Sequence, residues 1–193
     1  MEIGASADLR LPKPSGRRRD VQRAMDAWIA ARRAEVGGLH LGCGDDYVPG
    51  MVNCDLYAER ADLRASVLEL PSIPSDSVAH AEAHHVIEHL GFADAARAAR
   101  EWSRVLAPGG TLVVSCPNLD RLIQRWVLRP SKRAELRRMI YGSQEHPGMF
   151  HQSGYSPGDL AALLQAAGLQ VMWIYTPYPA RPTPSLCIVA TKR

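Results

Sequence analysis

The chain has 193 residues, 46% of them apolar and 22% charged, with a formal net charge of +3. That length suits one domain of ordinary size rather than two, and the apolar share excludes wholesale disorder. No run reaches the ~20 apolar residues that a membrane span needs, and the cysteines (Cys43, Cys54, Cys116, Cys187) are too scattered for a zinc ribbon or a disulfide scaffold.

Residues 1–17 carry glycine and proline without periodicity and predict a flexible tail. They have no apolar core of a secretory signal, so the expected location is the cytoplasm. Over 18–36, Val21, Met25, Trp28 and Ile29 share one helical face while Arg18, Arg19, Arg23, Arg32 and Arg33 take the others. This predicts an amphipathic helix packed across the core and ended by Gly37-Gly38. Next, LHL (39–41), MVNCDL (51–56), ADLRA (61–65) and SVAHAEA (77–83) read as strands, and HVIEHL and FADAARAAREWSRVL (92–106) as helical. Pro108-Gly109-Gly110 turns the chain into TLVVSC (111–116), a β-branched run suited to a buried central strand. The Arg-rich stretch Leu119–Tyr141 reads as helical, and Ser156 and Pro157 open a helix that runs to Ala167. LQVMWIYTPY and PSLCIVATK read as two closing strands with a proline-rich connection. The pattern predicts an α/β Rossmann-like open sheet, mostly parallel, with an antiparallel C-terminal edge pair and helices on both faces. Residues 18–193 form the predicted single domain, with an insert at 119–158 before the closing strands.

Ligands of such sheets bind beyond the C-terminal ends of the strands. Gly42-Cys43-Gly44 lies there, and two glycines let backbone approach a ligand closely. A tight turn without function is the plain alternative. Asp55 ends the second strand, where nucleotide binders place a carboxylate for the ribose hydroxyls. A dinucleotide would need a third glycine and an acid about 20 residues on. Here Asp45-Asp46 stands in the third-glycine region and would repel a pyrophosphate, so a cationic ligand fits better.

LHLGCG, PGMVNCDL, LELPSIPSDSVAHAEAHHVIEHL and LAPGGTLVVSCPNL together resemble the class I S-adenosylmethionine-dependent methyltransferases. The likeness is closest to a short bacterial branch, methyltransferase type 11-like, in which a loop with Pro-Gly replaces the first helix after the glycine turn. It covers roughly residues 38–190. The resemblance implies that Gly42, Cys43 and Gly44 pass under the methionine end of S-adenosylmethionine, and that Asp55 takes the ribose with Leu56 beside it. Val67 and Leu68 would meet the adenine, and His84 and His85 would lie beneath the sulfonium and methyl group. His40 joins this cofactor-binding set, although many members carry Asp or Glu there; Ser66 stands where an acid often meets the adenine amino group.

His85-Val-Ile-Glu88-His89 also spells the His-x-x-Glu-His zinc motif of one metalloprotease class. On a helix His85 and His89 would share a face, so a zinc protease is one alternative and a non-catalytic cofactor-binding scaffold or regulatory partner another. The preferred reading of Glu88 and His89 is a helix-start charge and a packing histidine.

Methyl transfer from a sulfonium needs an acceptor atom aimed at the methyl carbon, and a base only when that atom arrives protonated. The resemblance implies that the insert 119–158 is substrate-side, and within it residues 141–155 gather His146, His151, Tyr141, Tyr155 and Gln144 in one glycine-rich segment. His151 is the first candidate for a base or substrate anchor, followed by His146 and Tyr155. Arg121, Arg125, Arg129, Arg133 and Arg137 recur every four residues, interrupted by Pro130. They read either as a solvated face or as attraction for an anionic substrate. The resemblance to the short bacterial branch implies an acceptor O or N atom on a small-molecule or sugar-like metabolite. Nucleic acid is not expected, because the fourth strand does not end in the Asn/Asp-Pro-Pro-aromatic motif of amino-methylating base modifiers. Self-association is left open.

Overall fold

A computed structural model describes residues 18–175 and 184–193. The tail 1–17 and the proline-rich connection 176–183 therefore lie outside the described residues.

The first helix, α1 (Arg18–Val36), precedes the strands β1 (Leu39–Leu41), β2 (Val52–Asp55), β3 (Leu63–Arg64) and β4 (Val78–His84). A single 3-10 turn, Ile87–His89, leads to α2 (Phe92–Val105) and then β5 (Leu106–Pro117). The insert holds α3 (Leu119–Leu128) and α4 (Arg133–Tyr141), and α5 (Pro157–Ala166) precedes β6 (Leu169–Tyr175) and β7 (Ser185–Lys192). The seven strands of the described residues join one sheet in the order β3-β2-β1-β4-β5-β7-β6. β1 to β5 run parallel, and β7 enters antiparallel between β5 and β6. Strand order reverses beside β1 and β4, which places the ligand crevice over their C-terminal ends.

The alternation of side chains along each strand sorts the core into two layers. Ala81, Ala83, Leu112, Val114, Leu186 and Ile188 pack with α2 and α5 through Trp102, Leu160 and Leu164. Val113, Cys187 and Val189 point the other way, onto Met25, Trp28 and Ile29 of α1. Burying those three side chains contributes roughly 5–9 kcal/mol before the loss of conformational freedom is counted. α1 is thus the predicted packing helix, and helices cover both faces.

Between β1 and β2, residues 42–51 form turns and no helix, as the Pro-Gly loop predicts. Ser156 closes the predicted N-terminus of α5 with a reciprocal capping box to Asp159. Pro130 divides the Arg-rich stretch into α3 and α4, so the five arginines do not make one stripe.

Three expectations are corrected. HVIEHL is not an α-helix: His85 takes a left-handed φ of 55°, and only Ile87–His89 turn as 3-10. β5 starts at Leu106 rather than Thr111, because Val78 pairs with Leu106 and His80 with Thr111, leaving Ala107–Gly110 as a bulge in the longer strand. β3 shrinks to two paired residues at the sheet edge.

Candidate active site

The glycine turn and Asp55 meet at the tips of β1 and β2. The Gly42 and Cys43 amides both donate to the Cys54 carbonyl, at 2.7 and 3.2 Å, which folds the turn back onto β2. Gly42 has a φ of 64°, and a Cβ there would lie 2.5 Å from a Val86 methyl. Glycine is therefore required twice at this position, by conformation and by space. Gly44 also has a positive φ, 49°, but a Cβ on it would meet nothing within 4 Å. The turn thus presents open backbone on its outer side.

The Gly44 amide donates to Asp55 Oδ2 at 2.9 Å, and the amides of Tyr57 and Ala58 donate to Oδ1 at 2.7 and 2.9 Å. Burial alone would push the Asp55 carboxyl up, but these three amides together hold it below the ordinary carboxylate range. Asp55 is an anion at neutral pH, with one lone pair on Oδ2 still free to accept.

Below the turn runs a buried polar seam on the α1 side of the sheet. Arg33 of α1 donates to both oxygens of Glu82, at 2.9 and 2.6 Å. Glu82 also accepts from His80 and His84, and these rings reach Thr111 and Ser115 through their Nδ1 atoms. Desolvation would raise the Glu82 carboxyl, yet the hydrogen bonds from His80, His84 and Arg33 hold it far below its ordinary value. His40 is buried beside this seam, faces His84 edge-on at 6.1 Å, and directs Nδ1 to the Asn53 amide oxygen. His84 has both ring nitrogens engaged, so it forms a fixed floor at the end of β4.

The segment after β3 is clamped from α2. Trp102 Nε1 donates to the Val67 carbonyl at 2.9 Å, and Glu101 accepts from the Leu70 amide. Val67 and Leu68 are half-buried against the core. Leu56 is exposed beside Asp55.

Residues 141–155 form a strap that bridges the two sides of this crevice. At one end His146 and Tyr57 approach with ring centres 6.2 Å apart. At the other, the Gln152 and Ser153 amides both donate to the Glu88 carbonyl, and the His89 and His151 rings meet edge-on at 4.8 Å. His151 is half-buried, and that burial lowers its pKa. Its Nδ1 donates to the Met139 carbonyl, which leaves a lone pair on Nε2. His146 is exposed and its Nδ1 accepts from the Gly148 amide, capping the turn Pro147–Met149. Tyr155 lies in the wall at 4% exposure, with its ring edge-on to Phe92. The structure brings His151 to the β4 end of the crevice and sets His146 about the β2 end, so the three candidates do not converge on one point.

His85 and His89 do not share a helical face. His85 instead directs Nδ1 to Glu88 Oε1 at 3.0 Å, so the zinc-protease arrangement of that motif is not formed. The seam of His80, Glu82 and Arg33 was missed by sequence reasoning. Its signal was available: polar residues at alternate positions of a central strand that must be covered on both faces.

Strand order, glycine turn and acid-tipped second strand are those of the class I S-adenosylmethionine-dependent methyltransferases, whose cofactor is S-adenosylmethionine. The family model described as a methyltransferase domain matches residues 30–114, the stretch from the C-terminal part of α1 into β5. A search of curated proteins gives no match. Among solved structures, the 1,6-didemethyltoxoflavin-N1-methyltransferase of Burkholderia thailandensis, with bound 1,6-didemethyltoxoflavin and S-adenosylhomocysteine, is 17% identical with a TM-score of 0.58. That match covers 89% of this chain and 79% of the other. The magnesium protoporphyrin IX methyltransferase of Synechocystis PCC 6803, with bound S-adenosylhomocysteine, is 14% identical with a TM-score of 0.59, over 89% of this chain and 83% of its own. A methyltransferase from Haloferax volcanii in complex with the Trm112 activator is 18% identical with a TM-score of 0.52, over 88% and 92%. At these identities the likeness shows a shared fold. No helix among the described residues is long and apolar enough to cross a membrane.

Proposed function

We infer that the protein transfers a methyl group to an O or N atom of a small-molecule or sugar-like metabolite. The observation that carries this reading is the Gly42–Gly44 turn, tied by its own amide to the Asp55 carboxylate at the switch point of the sheet. The residues fit a sulfonium nucleoside. Gly44 leaves open space, Asp55 keeps an accepting lone pair beside it, and Ser66, Val67 and Leu68 offer a half-buried surface for a base.

When bound, S-adenosylmethionine supplies a methyl carbon open to in-line displacement. In this reading Asp55 would accept from the ribose hydroxyls, with Leu56 beside the sugar. Gly42, Cys43 and Gly44 pass under the methionine end, with buried His40 supporting the strand from below. His84 and His85 close the floor where the methyl is presented. His151 holds the acceptor or takes its proton, because burial keeps the ring neutral and Nε2 retains its lone pair. His146 and Tyr155 hold the strap in shape. Exposed Arg121, Arg129 and Arg137 give the insert a positive field that favours an anionic acceptor.

Calorimetry with S-adenosylhomocysteine tests the assignment. Binding should be saturable and weaken at least about 10-fold in Asp55→Ala, the loss of one charge-assisted hydrogen bond. No heat with the intact chain refutes the reading. An acceptor affinity that is flat with salt removes its anionic part.

A further inference from the structure

Glu88, His89 and His151 come from two segments of the chain, yet each offers a ligand atom within 4.8 Å of the others. We propose that these three side chains form a binding site for a divalent first-row transition metal ion, at the end of the crevice where the strap crosses the turn after β4.

The ring nitrogens are sorted for this task. His89 Nδ1 lies 3.1 Å from the Phe150 carbonyl, and His151 Nδ1 lies 3.1 Å from the Met139 carbonyl. A carbonyl can only accept, so both Nδ1 atoms carry the proton and both Nε2 atoms carry a lone pair. Metal-bound imidazoles are commonly held this way, with the remote N–H given to a backbone carbonyl. The carboxylate is sorted as well. Glu88 is 2% exposed; Oε1 accepts from His85, while Oε2 is buried and has no hydrogen-bond partner. A buried carboxylate oxygen left unpaired is costly, and a cation would relieve that cost. Two imidazoles and one carboxylate are a common donor set for zinc and other divalent transition ions. Ligands at ~2.1 Å from a tetrahedral ion sit roughly 3.4 Å apart, so closure requires shifts of about an ångström.

The backbone keeps the trio together. Gln152 and Ser153 donate to the Glu88 carbonyl, Ser153 Oγ donates to the Ile87 carbonyl, and Gln152 Nε2 donates to the His89 carbonyl. A three-ligand site leaves a position open for water or for an acceptor oxygen. The site stands on its own geometry; its use in holding the acceptor rests on the methyl-transfer reading. In that use the His151 lone pair serves the ion, and the ion, not the imidazole, lowers the pKa of the bound hydroxyl.

The test titrates Co2+ into the full chain after chelation and dialysis, reading visible d–d absorption, with S-adenosylhomocysteine titrated in parallel. The expected result is an absorption that saturates at one equivalent and is displaced by Zn2+. His151→Ala, His89→Ala and Glu88→Gln should each weaken Co2+ binding by more than about 100-fold. His85→Ala, which removes only a supporting contact, should weaken it by about 10–100-fold. Circular dichroism confirms that each variant is folded. If the unaltered chain gives no saturable spectrum, the proposal fails regardless of any variant. Co2+ affinity that is unchanged in folded His151→Ala also overturns it. Binding of S-adenosylhomocysteine without Co2+ refutes the cation site alone. Co2+ binding without S-adenosylhomocysteine upholds the site and refutes the methyl-transfer reading.

Discussion

Gly42→Ala should destabilise the protein through two separable causes. The left-handed φ of 64° costs alanine about 1–2 kcal/mol. The new Cβ would stand 2.5 Å from one Val86 methyl and 3.2 Å from the other, and Val86 is itself buried. Making room in a packed site adds about 1–3 kcal/mol, so the whole cost is about 2–5 kcal/mol. For a chain of this length that lowers Tm by about 4–20 °C, at about 2–4 °C per kcal/mol. Val86→Ala removes the methyl groups that the Cβ would meet. In that background Gly42→Ala should cost only its backbone part, and a double-mutant cycle should yield a coupling of about 1–3 kcal/mol. Gly44→Ala, with an equally left-handed backbone and open space, should match that smaller cost. Urea unfolding followed by circular dichroism measures all four variants. If Gly42→Ala costs the same with and without the Val86 methyls, the steric half of the reasoning is wrong.

Glu82 should leave a signature in acid. A carboxyl held far below its ordinary value of 4.5 contributes stability that is complete above that pH and is lost as pH falls below it. Glu82→Gln should therefore flatten the acid limb of the unfolding free energy by up to about 1.4 kcal/mol per pH unit; identical limbs in the two proteins count against the seam. Trp102→Phe removes the donor to the Val67 carbonyl and should cost about 1–3 kcal/mol. It should also weaken S-adenosylhomocysteine, because the backbone beside Val67 and Leu68 loses its clamp; an unchanged Tm would show that the indole N–H is dispensable.

The layered sheet was legible because its signals are local. A β-branched run such as TLVVSC, a Ser-Pro helix start and Gly-Gly after α1 each depend on a few neighbouring residues. The turn after β4 misled because His-Val-Ile-Glu-His has helical spacing, while the chain there has to leave a buried strand and stay bonded to β5. The His85 amide donates to the Ser115 carbonyl at 2.8 Å, and that strand-like bond prevents a helix from starting at His85. Asp55 and the glycine turn could be found by position alone, since strand ends fix them. The meeting of Glu88 with His151 could not: its partners are far apart in the chain, and no period or motif links them. The polar face of β4 differs: its alternation reads as solvent-facing only while the strand's central place in the sheet is overlooked, and Arg33 lies on it.

The cover that α1 gives the sheet also bears on the order in which the fold can be completed. Trp28 and Ile29 rest on β5 and on Val189 of β7, the latter roughly 160 residues downstream, a separation that makes such contacts slow to form. A ribosome delivers α1 first and β7 long afterwards. During synthesis the apolar stripe of this helix therefore waits without its partner surface, and the earliest element of the described chain is among the last to be sealed.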